Sequence, residues 1–196
     1  MITQPLVVSS LSDVVRDARS DQESDDMADK RKFPVGELEN SRLRRLEEAG
    51  FANLIIIPDL DALCKEAKSH FGTDVAAITL LTEDLQLLKA RAGIDIDQTP
   101  RGVAFCNYTI LADAVFVVLD ASKDPRFSDN PVTTGHPFIR FYAGAPLTYL
   151  GDIRIGAFCL LDSSPRESFT KGEQAELIDF SERALQILVK QLGRVT

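Results

Sequence analysis

Hydrophobic and polar positions alternate along this chain in blocks whose period changes from helical to extended and back. From Gly36 to Gly50, Leu38, Leu43 and Leu46 stand among charged residues, a helical pattern with Gly50 as its stop. Pro58-Asp59 opens a second helix in which Leu60, Leu63, Cys64, Ala67 and Phe71 recur at three- and four-residue steps. Asp59 or Asp61 is placed to cap its start, and Gly72 ends it. Val75–Thr82 and Leu85–Ala92 are apolar, extended runs joined by the turn-like Glu83-Asp84, and so predict a hairpin. Thr99-Pro100-Arg101-Gly102 interrupts the pattern. A short helix carrying Cys106 is expected within Val103–Leu111, and a strand over Ala114–Leu119. Strands then follow over Phe138–Leu150 and Ile153–Leu161, and a helix over Lys171–Leu192. Closely spaced strands flanked by helices predict an α+β fold built on an antiparallel sheet.

Two segments stand outside this periodicity. Residues 13–32 hold seven acids and five bases with few apolar side chains. Such a segment buries too little apolar surface to offset its ordering entropy, so residues 1–35 are expected to form a disordered acidic tail ahead of a domain over 36–196. The second is Asp120–Gly135, sixteen residues with Pro125 and Pro131, a length that marks either a functional loop or a disordered one.

The last two strands carry the most specific inference. With Gly151-Asp152 as a two-residue turn, Leu150 faces Ile153, Thr148 faces Ile155, Pro146 faces Ala157, Gly144 faces Cys159 and Tyr142 faces Leu161. Phe141, Ala143, Ala145, Leu147, Phe158 and Leu160 then share an apolar face suited to packing helices. The other face sets small residues at its centre with Arg140, Tyr142 and Thr148 around them. Two readings of that face stand: a helix or the long loop fills it, or it borders a ligand cavity.

Charge and composition narrow the function. Thirty acidic against twenty-two basic side chains give a net charge of −8, which opposes binding to a nucleic-acid backbone. No apolar run is long enough to cross a bilayer, and the first residues lack the positive segment of a secretory leader. Three widely spaced cysteines (Cys64, Cys106 and Cys159) argue against a disulfide framework and for the cytoplasm. Cys64 lies on a predicted buried stripe. Two histidines, His70 and His136, offer no metal cluster, and no metal site is expected. Nucleophile triads, phosphate-cradling glycine loops and zinc-ligand spacings are all missing, so the chain is read as non-catalytic.

Several short segments, in order, resemble one family. They are Thr99-Pro100-Arg101, Ala104-Phe105-Cys106, Asp124-Pro125-Arg126-Phe127, Asn130-Pro131-Val132 with Gly135, and Ile139-Arg140-Phe141-Tyr142-Ala143-Gly144-Ala145-Pro146-Leu147. Gly156, Phe158-Cys159, Asp162 and Pro165-Arg166 complete the set. Together they resemble GAF domains, in particular a bacterial sensor subgroup found ahead of histidine kinases and diguanylate cyclases. The resemblance implies a sheet of strand order 2-1-5-4-3, terminal helices on one face, and a pocket beneath residues 102–136. It also implies a sensor role in signal transduction, including two-component signalling, with a small-molecule ligand, a homodimer, and a kinase or cyclase as output partner.

The candidate ligand-binding residues are Phe105, Cys106, Asp120, Arg126, Arg140, Tyr142, Gly144, Cys159 and Leu161; neither ligand nor cofactor is identified by the sequence. Arg140 and Arg126 each carry a planar donor fork suited to an anion, while Asp124, Arg126 and Asp162 also suit an ion-pair network that pins the loop. Some GAF domains are free methionine sulfoxide reductases that use cysteines around such a pocket. That alternative needs a low-pKa thiolate and a resolving partner, and neither Cys106 nor Cys159 is bracketed by cations. Cys106 is followed by Asn107 rather than a histidine, unlike bilin-attaching members. A third alternative is a pocketless dimerisation module.

Overall fold

The fold of the chain is given by a computed structural model that describes residues 33–53 and 57–195. Most of the expected acidic tail, residues 1–32, lies outside the described residues. Helix α1 spans Glu39–Glu48 and runs out at Gly50, whose φ of +74° glycine adopts without the Cβ penalty. Helix α2 spans Pro58–Phe71, with its proline in the first turn and Gly72 left-handed at φ +62°. The expected aspartate cap is not formed: Ile57 holds the cap position and no side chain bonds there. Asp61 instead accepts a 3.3 Å hydrogen bond from the backbone N–H of Arg91, tying α2 to the second strand.

Strands β1 (Val75–Leu81) and β2 (Leu85–Ala92) form the expected hairpin. Every residue of β1 is buried, because the strand is central and covered on both faces. The interruption at Thr99-Pro100 is itself a short strand, β3 (Gln98–Pro100), paired to the edge of β2 where a proline costs no ladder bond. A 3-10 turn over Arg101–Val103 leads into α3 (Cys106–Thr109), a single turn that carries Cys106 as expected. After β4 (Phe116–Val118), the long loop contains one helical turn, α4 (Pro131–Thr134), capped by the Asn130 side chain, which accepts from Val132 N–H at 3.1 Å. Strands β5 (Phe141–Tyr149) and β6 (Ile153–Asp162) and helix α5 (Lys171–Val195) complete the fold. The six strands lie in the order β3-β2-β1-β6-β5-β4, all antiparallel. With the extra edge strand β3 set aside, this is the expected five-stranded order.

The β5–β6 hairpin departs from expectation at its tip and agrees with it further in. Tyr149 pairs with Ile153 and Thr148 with Arg154, so Leu150-Gly151-Asp152 makes a three-residue connection. Ile155 is then an extra residue on β6, a bulge that shifts the register by one. Beyond it Pro146 faces Ala157, Gly144 faces Cys159 and Tyr142 faces Leu161, as the pattern predicts.

The sheet therefore presents two faces of different use. Phe141, Ala143, Ala145, Leu147, Phe158 and Leu160 pack with residues of α2 and α5, including Leu60, Cys64, Leu177, Phe180 and Leu188. On the opposite face, Ala77, Tyr142, Ala157 and Cys159 pack with Phe105, Cys106, Phe127, Val132 and Ile139. No described helix is long and apolar enough to cross a membrane.

Candidate functional site

Strand alternation brings Thr79 of β1, Tyr142 of β5 and Cys159 of β6 to the face beneath α3. The Cys106 thiol sits at the centre of their contacts. Thr79 Oγ1 donates to Cys106 Sγ at 3.3 Å and Tyr142 Oη at 3.2 Å. Tyr142 Oη also lies 2.6 Å from Thr109 Oγ1, and the Cys159 thiol donates to the Ala77 carbonyl at 3.5 Å. Burial alone would raise the Cys106 thiol, but hydrogen bonds from Cys159, Thr79 and Tyr142 outweigh it and bring the group below its ordinary value. Cys159 is pushed well above its own by its hydrogen bond to Cys106 and by burial. On the other face, burial and the charge of Asp61 push the Cys64 thiol up to about 12.

Beside this cluster lies a cavity of about 70 Å³, several times the ~10–15 Å³ that admits one water and well below the ~300–1,000 Å³ of common ligand pockets. Five of the nine candidate residues line it: Phe105, Cys106, Tyr142, Cys159 and Leu161. The other four are held elsewhere. Gly144 does not border open space. A Cβ there would overlap the Tyr142 hydroxyl and lie 2.6 Å from Thr109 Oγ1, so side chains already fill the volume that small residues were expected to leave. Arg140 turns its guanidinium to the carbonyls of Thr133 (2.8 Å) and Ile139 (3.1 Å), pinning α4 to the start of β5. Arg126 binds Asp124 through two hydrogen bonds of 2.9 and 2.5 Å and lies 4.8 Å over the Phe116 ring. Asp120 accepts from the Ser122 hydroxyl at 2.6 Å and pairs with Lys123, and both lower its carboxyl. Asp162 pairs with Arg166 at 2.7 Å, which in turn donates to the Phe71 carbonyl. These charges brace the loop and the strand ends.

The remaining walls include residues outside the candidate set. Thr79, Gln86 and Leu88 reach the cavity from β1 and β2, Ile94 and Ile96 from the segment leading to β3, and Thr99 from β3 itself. The signal for the first three was present: Ala77 pairs with Cys159 and Thr79 with Leu88, so alternation carries the Cys159 face across β1 to β2. No group of three or more His, Cys, Asp or Glu among the described residues is arranged to hold a metal ion.

Comparison with known proteins places this geometry. The family model described as GAF domain matches residues 45–194. Cyclic di-GMP phosphodiesterase PA2567 of Pseudomonas aeruginosa is 39% identical over 148 residues, which make up 76% of this chain. The same stretch is 25% of that protein, so the chain spans about a quarter of its curated relative. Among solved structures, the type II free methionine-R-sulfoxide reductase of Thermoplasma acidophilum aligns with a TM-score of 0.56 at 18% identity, covering 68% of this chain and 92% of that one. The same-named domain of the Acinetobacter phosphoenolpyruvate-protein phosphotransferase aligns at 0.55, also at 18% identity, covering 80% and 96%. At such identities these structural likenesses establish the fold.

Proposed function

The chain belongs to the GAF domain family, and from that premise we propose that it is a non-catalytic regulatory module of a cytoplasmic signalling protein. It binds a small molecule in the cavity between the sheet and the segment 101–139, and conveys occupancy through α1 and α5 of a homodimer to an output domain. The observation that carries this reading is the cavity itself, walled by apolar side chains on the sheet face away from α2 and α5. Similarity to a cyclic di-GMP phosphodiesterase, of which the chain spans only a quarter, supports a regulatory setting beside an enzymatic output. Native mass spectrometry of the protein purified from its own host tests both parts. A dimer carrying a bound small molecule is expected, and a ligand-free monomer overturns the proposal.

A second reading, a thiol redox enzyme, draws on Cys106 and Cys159 lining the same cavity. Both thiols are buried and no Lys or Arg lines the cavity, which argues against an activated nucleophile there. Thioredoxin-linked reduction of free methionine sulfoxide, lost in Cys106→Ser, would favour the enzyme.

A further inference from the structure

We infer that Cys106 and Cys159 form a peroxide-sensitive dithiol: hydrogen peroxide entering the cavity oxidises Cys106, and Cys159 resolves the product to a disulfide that fastens α3 to β6. The inference goes beyond ligand sensing and holds whether or not the cavity also takes a ligand.

The placement of the two sulfurs carries it. Ala77 and Gly144 flank Cys159 as its partners on β1 and β5. The Tyr142 hydroxyl lies over Gly144 and donates to Cys106 Sγ at 3.2 Å, so the Cys106 sulfur stands above the strand pair that holds Cys159. Thr79, two residues along β1 from Ala77 and so on the same face, donates to that sulfur at 3.3 Å. Both cysteines line the one cavity, Cys106 from its roof and Cys159 from its floor.

The two thiols are not equivalent. Cys106 accepts from two hydroxyls, which favour its thiolate and bring it below its ordinary value. Cys159 donates to the Ala77 carbonyl at 3.5 Å and is raised above its own. Cys106 is therefore the sulfur that attacks, and Cys159 keeps its proton for the second step. No Lys or Arg lines the cavity to strengthen the thiolate, so the reaction is slow and stoichiometric rather than a turnover. Volume and charge select the oxidant. About 70 Å³ holds hydrogen peroxide, roughly the bulk of two waters, and no charged side chain on the wall meets the ammonium and carboxylate of an amino acid such as methionine sulfoxide.

The chemistry balances within the site. The Cys106 thiolate attacks one peroxide oxygen; the S–O bond forms, the O–O bond breaks, and the departing hydroxide takes up the proton that Cys106 gave up. Sulfur is oxidised to the sulfenic acid and peroxide is reduced to water. The Cys159 sulfur then attacks Cys106 Sγ; the S–S bond forms, the S–O bond breaks, and hydroxide leaves with the Cys159 proton as a second water.

The test treats the full chain, reduced and freed of reductant, with a small excess of hydrogen peroxide, denatures it in N-ethylmaleimide and maps the peptides by mass spectrometry. Peptides bearing Cys106 and Cys159 should emerge joined. Cys64 should be alkylated, because it lies on the other face with its thiol pushed up to about 12 by burial. In Cys159→Ser the Cys106 sulfenic acid has no partner and should be trapped by dimedone; brief trapping of the wild-type chain reads the same sulfur if that variant fails to fold. Tyr142→Phe should slow disulfide formation roughly five-fold, the worth of one hydrogen bond. Three alkylated thiols after peroxide overturn the switch, as does a bridge to Cys64 or between chains. Dimedone on Cys159 in place of Cys106, or an unchanged rate in Tyr142→Phe, overturns the assignment of roles. All of these leave ligand sensing standing, and a ligand-free monomer in native mass spectrometry overturns that reading without touching this one.

Discussion

Glu39 on α1 and Arg101, sixty-two positions later, form a 2.6 Å ion pair with both side chains almost wholly buried. The same carboxylate accepts two hydrogen bonds from Arg42, at 2.7 and 2.8 Å. Arg101 reaches on to the Asn107 side chain at 2.8 Å and to the Thr82 carbonyl at 2.7 Å. Asn107 closes the circuit by donating to the Arg101 and Ala104 carbonyls. One acid thus couples the first described helix to the turn that carries α3, the roof of the cavity. Any movement of α1 along its axis must either break this network or move α3 with it.

Removing that acid should be severe. Glu39→Ala leaves two arginines without their shared counter-charge, a change expected to cost about 3–5 kcal/mol in urea denaturation. The pH dependence follows from the same contacts. Burial alone would raise the Glu39 carboxyl, but Arg42 and Arg101 outweigh it and hold it at about 2, against an ordinary value of 4.5. A carboxyl depressed on folding contributes stability that is complete above its ordinary value and is lost as pH falls through the folded one. Wild-type stability should therefore decline between about pH 4.5 and 2, and Glu39→Gln should flatten that part of the curve. An unchanged acid limb in the variant would remove Glu39 from the explanation.

Gly144 offers a sharper test of packing. A Cβ at this position meets the Tyr142 hydroxyl and Thr109 Oγ1, so Gly144→Ala should cost about 1–3 kcal/mol by overpacking. Tyr142→Phe removes the hydroxyl that the new methyl would strike. It also strips hydrogen bonds from Cys106 and Thr109, a loss of about 1 kcal/mol. The double variant should consequently be more stable than the sum of the single effects predicts. Strict additivity in thermal melts would mean that the two positions do not share this space.

The hairpin tip makes the opposite kind of prediction. Leu150 is exposed and holds φ +52°, a left-handed conformation that a branched apolar residue adopts at a cost of about 1–2 kcal/mol. Asn tolerates this conformation far better. Leu150→Asn should raise the unfolding free energy by roughly 0.5–1 kcal/mol, visible as a higher melting temperature. A lower one would show that Leu150 makes contacts that offset its strain.

Much of this architecture was legible before any coordinates because periodicity reports burial directly. The faces of β5 and β6 came out correctly because Phe141, Ala143, Ala145 and Leu147 alternate with Tyr142 and Gly144, and only one set can face the helices. The turn at Gly151 misled by one residue, yet the bulge at Ile155 restored the register, so the error stayed local. The site was harder to read. Alternation assigns Gly144 to the correct face without saying that the Tyr142 hydroxyl lies over it. Nor does sequence show where a long side chain ends, which is why Arg126 and Arg140 seemed available to an anion. The pairing of Arg101 with Glu39 leaves no periodic signal, because sixty-two residues separate them and a local pattern does not join two charges so far apart.

The homodimer gives the last prediction. Leu177, Phe180 and Leu188 of α5 are buried against the sheet and so are not free to meet a second copy. The residues left over are Ile178 and Val189, 37% and 41% exposed. Eleven residues are close to three full turns, so these two side chains emerge within about 20° of each other around the helix, with Leu185 near the same line. An apolar stripe of this length on a helix that already covers the sheet is suited to a second copy of the same helix. Replacing both residues by glutamate should convert a dimer to a monomer in sedimentation equilibrium at tens of micromolar. Because neither side chain belongs to the sheet core, folding stability should change by no more than about 1 kcal/mol. A wild-type protein that sediments as a monomer would sink the dimer. A dimer that survives both substitutions would move its interface to another surface.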